Sequence, residues 1–305
     1  MAALLLDSAS LYYRAYFALP ETIVGPDGTP VNAVRGFLET VAALVRDRGA
    51  TGIAACWDDD WRPQWRVDLV PSYKTHRVLE EPDADEEGEE EIPDTLAHQV
   101  DILRELLPAL GIPVLGAAGY EADDVIAGLA HHVSGPVDIA SGDRDLVQLV
   151  DDRVTLLFTG GTSASRGGRP WQVMTPADTQ AKFGVDPRRY ADLAILRGDP
   201  SDGLPGVRGI GEKTAAALVQ AFGDVEGVLA AAADPQSSRP MTPALRQRLI
   251  EAQDEVRRAE KVVRLRPDSR WSQPDLTVRP QPGAIDLAEA WGVGAAARRL
   301  IDVVT

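Results

Sequence analysis

The chain has 305 residues, 44% of them hydrophobic, enough to bury a substantial core and long enough for about two domains. Its 31 Lys and Arg stand against 47 Asp and Glu, a formal charge of −16, and a single cysteine, Cys56, excludes a disulfide scaffold and any cysteine-held zinc or iron–sulfur site. The four histidines (His76, His98, His131, His132) lack metal-ligand spacing, and no window approaches the ~20 apolar residues of a membrane span. The apolar start, MAALLLD, is short and has no basic flank, so no secretory leader is expected and the reading is a soluble, cytoplasmic protein. The charge is also uneven. Residues 80–94 (EEPDADEEGEEEIPD) hold ten acids and no base, which leaves −6 for the rest.

In chain order, residues 2–6 form a first strand-like apolar run, ending at Asp7, and residues 52–57 a second, ending at Asp58. Leu96, Val100, Leu103, Leu107 and Leu110 follow at helical spacing, with Asp94 as the expected N-cap and Gly111 as the stop. Residues 112–115 read as a strand, residues 125–133 as a helix, and residues 136–140 and 154–158 as two further strands, the first of these ending just before Asp143. Strands alternating with helices predict an α/β fold with a mostly parallel sheet flanked by helices. Such sheets place their sites outside the carboxyl ends of the strands, where Asp7, Asp58 and Asp143 fall. Residues 160–170 (GGTSASRGGRP) read as a loop, and from Trp171 onward the pattern is helical with short turns, one started by Asp186-Pro187. Helices are expected over 243–265 and 284–304, the latter within a proline-bearing stretch, 267–305, that reads as an appendage. The expected division is 1–170 for the sheet domain, 171–266 for the helical domain and 267–305 for a C-terminal extension.

Asp7, Asp58, Glu121-x-Asp123-Asp124, Asp143-x-Asp145 and Asp199-x-x-Asp202 put nine acids in five places, each beside a turn or an element boundary. Singly, each reads as an N-cap or a solvated turn. Gathered at one sheet edge they repel one another strongly and require cations. Oxygen ligands without His or Cys favour Mg²⁺ or Mn²⁺ over zinc, and two such ions ~3.5–4 Å apart form the clamp used for in-line attack on phosphodiesters. Lys74 and Arg77 are three apart, so on a helix they share one face and could neutralise the phosphate oxygens as negative charge builds. Tyr73 is expected to stack on a terminal base, and Arg35 is a further candidate for a phosphate contact. The run Gly206-Val-Arg-Gly209-Ile-Gly211-Glu-Lys213-Thr214 places glycines just ahead of a helix, whose N-terminal N–H groups suit phosphate. By contrast, Gly292-Val-Gly294 follows a helical segment and lacks the βαβ setting of a dinucleotide fingerprint.

The stretches LLLDSASLYYRAYFAL, GTPVNAVRGFLETV, CWDDD, SYKTHR, GYEADDVIAGLA, SGDRDLVQLV and GDPSDGLPGVRGIGEKTAAALV, in this order, resemble the 5′-nuclease (flap endonuclease) superfamily. The likeness is to the bacterial 5′→3′ exonuclease type found at the N-terminus of DNA polymerase I, and it covers residues 2–265. It implies a PIN-like sheet domain with an arch over about 73–110 and a helix–three-turn–helix subdomain that grips duplex DNA. It also implies two metal clusters, with Asp7, Asp58, Glu121, Asp123 and Asp143 nearer the catalytic one and Asp124, Asp145, Asp199 and Asp202 toward the second. Lys74 and Arg77 take the scissile phosphate, and Gly209, Gly211, Lys213 and Thr214 hold duplex backbone, with a K⁺ on the turn's carbonyls. The implied partner is DNA with 5′ ends or flaps, bound without sequence reading, and any polymerase acts in trans. An RNA-directed PIN-type ribonuclease would need neither the glycine turn nor the second acidic set, and a non-catalytic DNA-binding relative would be expected to lose Asp7, Asp123 or Asp143. Three departures stand out: Trp57 where phenylalanine is usual, Gly203 where asparagine is usual, and acids over 80–94 where relatives carry bases. That acidic run reads as a solvated loop, or as a repulsive screen against DNA that is not threaded.

Overall fold

The five apolar runs become strands of one six-stranded sheet in a computed structural model that describes residues 2–78, 93–161, 170–237, 239–272 and 274–304. The acidic run, up to residue 92, lies outside the described residues. The sheet unit comprises β1 (Ala3–Asp7), α1 (Ser8–Ala18), α2 (Asn32–Arg48), β2 (Gly52–Cys56), α3 (Gln64–Leu69), α4 (Asp94–Ala109), β3 (Val114–Leu115), α5 (Ala122–His132), β4 (Val137–Ser141), β5 (Val154–Phe158) and β6 (Gln172–Met174). Strand order is β3-β2-β1-β4-β5-β6, parallel throughout except for β6, which runs antiparallel to β5. The chain runs outward from β1 to β3, then returns to place β4 on β1's other side. That reversal opens a crevice at the carboxyl ends of β1 and β4.

Side-chain alternation splits the core in two. Leu4, Leu6, Ile53, Ala55 and Leu157 face α1, α2 and α4 and pack on residues such as Leu11, Phe37 and Leu103. Leu5, Ala54, Ile139 and Leu156 face α5 and the helical unit. That unit contains α6 (Pro176–Phe183), α7 (Tyr190–Arg197), α8 (Glu212–Phe222), α9 (Val225–Ala233), α10 (Pro243–Glu251) and α11 (Gln253–Val263). Both faces of the sheet are covered, as a parallel sheet requires. No single helix among the described residues is long and apolar enough to cross a membrane; α8 and α9 are apolar, but they meet at 82° and bury residues such as Leu218 and Val228 in the core.

Two expectations fail. The chain is not helical from Trp171 onward, because Gln172–Met174 first adds the edge strand β6. Nor is the C-terminal stretch an appendage. The Ile53 N–H donates to the Leu276 carbonyl at 2.8 Å and the Gln281 N–H to the Ala109 carbonyl at 2.8 Å. The expected single helix breaks at Gly292 (φ +75°) into α12 (Ala284–Ala290) and α13 (Gly294–Val304), whose Ala288, Ala297 and Leu300 are buried in the α2 and α4 core.

Candidate active site

Asp7 ends β1 and caps α1: its Oδ1 accepts the Ser10 N–H at 3.2 Å and its Oδ2 accepts the Ser141 hydroxyl. Ser141, the last residue of the neighbouring β4, also accepts the Asp143 N–H at 2.8 Å, and Asp143 accepts the Asp145 N–H at 2.7 Å. One serine thereby fixes two acids across the crevice. Asp58, beyond β2, accepts the Ala122 N–H at 2.8 Å, which ties it to the start of α5. There Glu121 is the N-cap, and Asp124 closes a capping box by accepting the Glu121 N–H at 3.1 Å. Burial, reinforced by Asp58, raises the Asp7 carboxyl to about 7. Burial and then the charges of Asp143 and Asp7 push Asp123 well above the usual carboxylate range, and burial likewise raises Asp58 and Asp143.

The helical unit supplies Asp199 and Asp202 from the turn after α7. Residues 72–77 hold that turn against the sheet unit: the Lys74 N–H donates to the Asp202 carbonyl at 3.0 Å and the Ser72 hydroxyl to the Gly203 carbonyl at 2.7 Å. Gly203 has φ +68°, and a Cβ there would run into the Ser72 carbonyl. The closeness of these two backbones explains glycine where a side chain is usual. Burial raises Asp202 to about 6 against the pull of Lys74 and Arg77.

Lys74 and Arg77 do not share a helix face. Lys74 has φ +49°, the one positive φ among described non-glycine residues, and a short 3-10 turn follows it. Such a conformation costs about 1–2 kcal/mol and aims the buried ammonium at Glu121 and at the Trp61 carbonyl, 3.2 Å away. Arg77 donates instead to the Ser201 carbonyl at 2.8 Å and lies 3.3 Å from Asp202. Tyr73 is not placed to stack on a base: it is 4% exposed, and its hydroxyl donates to Glu121 at 2.8 Å. Sequence reasoning missed Arg66, which is 3% exposed and lies 2.8 Å from Glu121 and 2.8 Å from Asp124. Burial opposes its charge, but Glu121, Tyr73 and Asp124 raise its pKa overall.

These elements enclose a cleft of about 430 Å³ lined by Asp7, Asp58, Glu121, Asp123, Asp143, Asp199 and Asp202, together with Lys74 and Arg77. Asp124 does not line it and faces Arg66; Asp145 lines a small void behind it, with a buried Oδ1 that has no hydrogen-bond partner. Arg35 lies on α2, paired with Glu39 at 3.0 Å, and does not line the cleft. The glycine turn stands at the surface: Gly209 (φ +77°), Gly211 and Lys213 are exposed, Thr214 is half-buried, and no side chain caps α8. Among the described residues no three His, Cys, Asp or Glu side chains close on one point tightly enough to hold an ion. The donor set nonetheless fits a hard divalent cation. It is all oxygen, burial and neighbouring carboxylates raise Asp7, Asp123 and Asp145, and a buried oxygen of Asp145 is unpartnered.

The family model of the 5′-3′ exonuclease N-terminal resolvase-like domain matches residues 2–184, and that of the 5′-3′ exonuclease C-terminal SAM fold matches residues 185–282. A 5′-3′ exonuclease of Streptomyces coelicolor is 49% identical over 99% of this chain and 100% of its own length. One from Mycobacterium tuberculosis is 45% identical over 87% of this chain and 84% of its own. The fold matches that of the T5 D15 protein co-crystallised with metal ions, with a TM-score of 0.63 and 18% identity over 100% of both chains.

Proposed function

The chain belongs to the 5′-3′ exonuclease family, and on that premise we propose that its cleft hydrolyses DNA phosphodiesters at 5′ ends and 5′-flap junctions. The observation that carries this reading is the convergence of seven carboxylates, drawn from both units, beside Lys74 and Arg77. Asp7, Asp58, Glu121, Asp123 and Asp143 would hold one Mg²⁺ or Mn²⁺, and Asp199 and Asp202, with Asp145 behind them, a second. Bound there, such ions lower the pKa of an attacking water and offset charge on the phosphate. Lys74 and Arg77 orient the scissile phosphate and stabilise the charge that builds on its oxygens, a contribution of about 10²–10³ in rate. Arg66 and Tyr73 keep Glu121 in place from behind. The exposed N–H groups at the start of α8 and Lys213 grip duplex backbone without reading sequence, with a K⁺ on the turn's carbonyls. A substrate of this kind puts the activity in the cytoplasm.

The test presents a 5′ flap, a nicked duplex and single-stranded RNA to the protein in Mg²⁺ or Mn²⁺, with Asp123→Asn as control. Flap and nick cleavage, reduced at least ~10²-fold by the substitution, is expected. Cleavage of RNA alone, or cleavage that survives Asp123→Asn, would overturn the assignment.

A further inference from the structure

Arg144 also lines the cleft, at the turn that follows β4, and is exposed. It has no ion pair among the described residues, although the chain carries far more acids than bases and Asp143 and Asp145 flank it. The cations that bear most on those two aspartates are Lys74 and Arg197. Arg144's charge is felt by Tyr190 and by Lys182 on α6. Lys182 is exposed and also without an ion pair among the described residues; its ammonium stands 5.1 Å from the Phe158 ring and 5.3 Å from the Phe183 ring. Burial and then Arg144 hold it below the ordinary lysine range, while Glu212, the first residue of α8, pulls it back. Phe158 ends β5 and pairs with Ser141 at the end of β4, which places Lys182 at the same sheet edge as the turn that carries Arg144. The C-terminal end of α6 also touches α8, where the Gln220 side chain donates to the Gly184 carbonyl at 2.5 Å.

Two exposed cations on one rim, neither in an ion pair among the described residues, repel each other, and a bound anion relieves that repulsion. Building on the nuclease reading above, we infer that Arg144 and Lys182 form a phosphate-holding track that carries the backbone of the bound DNA from the carboxylate cleft to the turn ahead of α8. Lys74 and Arg77 act on the phosphate being cut, whereas this pair holds phosphates beyond it and sets how the duplex leaves the site. The contacts are to backbone and carry no sequence information.

Binding of a 5′-flap duplex is measured by fluorescence anisotropy in Ca²⁺, from ~50 to ~200 mM KCl. Each phosphate contact contributes a slope near −0.9 to log K against log[salt], so Arg144→Ala and Lys182→Ala should each flatten the slope by about 1 and the double variant by about 2. Over that range the double variant should lose affinity about tenfold less than wild type. Arg279→Ala, which removes an equal charge at the opposite end of the sheet, should leave the slope unchanged. A second readout uses no DNA: the Lys182 pKa, followed by NMR of the ¹³C-methylated protein, should rise in Arg144→Ala. An unchanged slope in a double variant, with wild-type flap cleavage intact, overturns this inference and leaves the nuclease reading standing. An unmoved Lys182 overturns it too. Failure of wild type to bind or cut any flap overturns both.

Discussion

Asp7 gives the sharpest test of whether the cleft's carboxylates stay in conflict until divalent cations join them. Burial, with Asp58 adding, raises its carboxyl from 3.8 to about 7, worth on the order of 4 kcal/mol against the ionised folded state. Because the folded pKa lies above the unfolded one, the folded state retains a proton that the unfolded chain releases. This group's contribution to stability is therefore complete below about pH 4 and is lost as the pH rises through about 7. In EDTA, wild type should be weaker toward urea at about pH 8 than at about pH 5.5, a window that contains roughly half of the Asp7 loss. Asparagine at position 7 cannot ionise, yet it can still accept the Ser10 N–H, since it caps helices as well as aspartate does. Asp7→Asn should thus raise the urea midpoint in EDTA at about pH 8, by up to ~4 kcal/mol, with a gain that shrinks as the pH falls. Saturating Mg²⁺ should stabilise wild type more than the variant, and flap cleavage by the variant should fall at least ~10²-fold. A variant less stable than wild type in EDTA at that pH, or a gain independent of pH, would show that the Asp7 charge does not oppose folding.

Arg66→Met strands Glu121 and Asp124 without their buried cation and should cost about 3–5 kcal/mol in urea unfolding; Arg66→Lys should recover only part, because an ammonium lacks the fork that spans both acids, and a loss under ~1 kcal/mol for Arg66→Met would contradict this. Tyr73→Phe removes a buried donor to Glu121 and should cost about 1–3 kcal/mol and slow single-turnover cleavage while the Kd for a 5′ end holds; a silent substitution would restore the stacking role. Gly203→Ala forces a Cβ toward the Ser72 carbonyl in a left-handed conformation worth about 1–2 kcal/mol, so cleavage should slow through Asp202 and Arg77 while duplex affinity is kept; a wild-type rate would rule out this coupling.

The sheet and its acids were legible because one physical event marks both: an apolar run stops where the strand leaves the core, and the first polar residue falls at the site. Asp7 and Asp58 are of this kind; β4 instead ends on the polar Ser141, which holds Asp143 two residues on. The strand β6 was illegible because three residues at a sheet edge, one exposed and one half-buried, make no run. The C-terminal stretch misled because its prolines mark it off as an appendage, while its helices pack through alanines such as Ala288 and Ala297, which carry little hydropathy signal. The conformation of Lys74 has no sequence signature, since a lysine at positive φ is chosen by its surroundings. Arg66 carries no signal of its own in the sequence. The one available signal was indirect: an acidic triplet opening an otherwise apolar helix must find a cation somewhere, and α3 supplies it.

A net charge of −16 and a DNA substrate are reconciled by where the acids stand. Ten lie in one run over 80–94, and seven more line the cleft, against which stand the cations Lys74, Arg77 and Arg144. Without divalent ions a phosphate entering the cleft meets predominantly like charge at short range in a partly desolvated site, where screening is weak. Divalent ions held there would offset most of that local field before any bond is broken. Flap affinity should therefore depend on divalent ions even when cleavage is prevented. Anisotropy in Ca²⁺ should show affinity at least about tenfold tighter than in EDTA at equal ionic strength, and Asp7→Asn, with one charge fewer to offset, should narrow the ratio. Equal affinity in Ca²⁺ and EDTA would mean that the cleft's field does not reach the bound strand, and that the duplex grip at α8 carries binding alone.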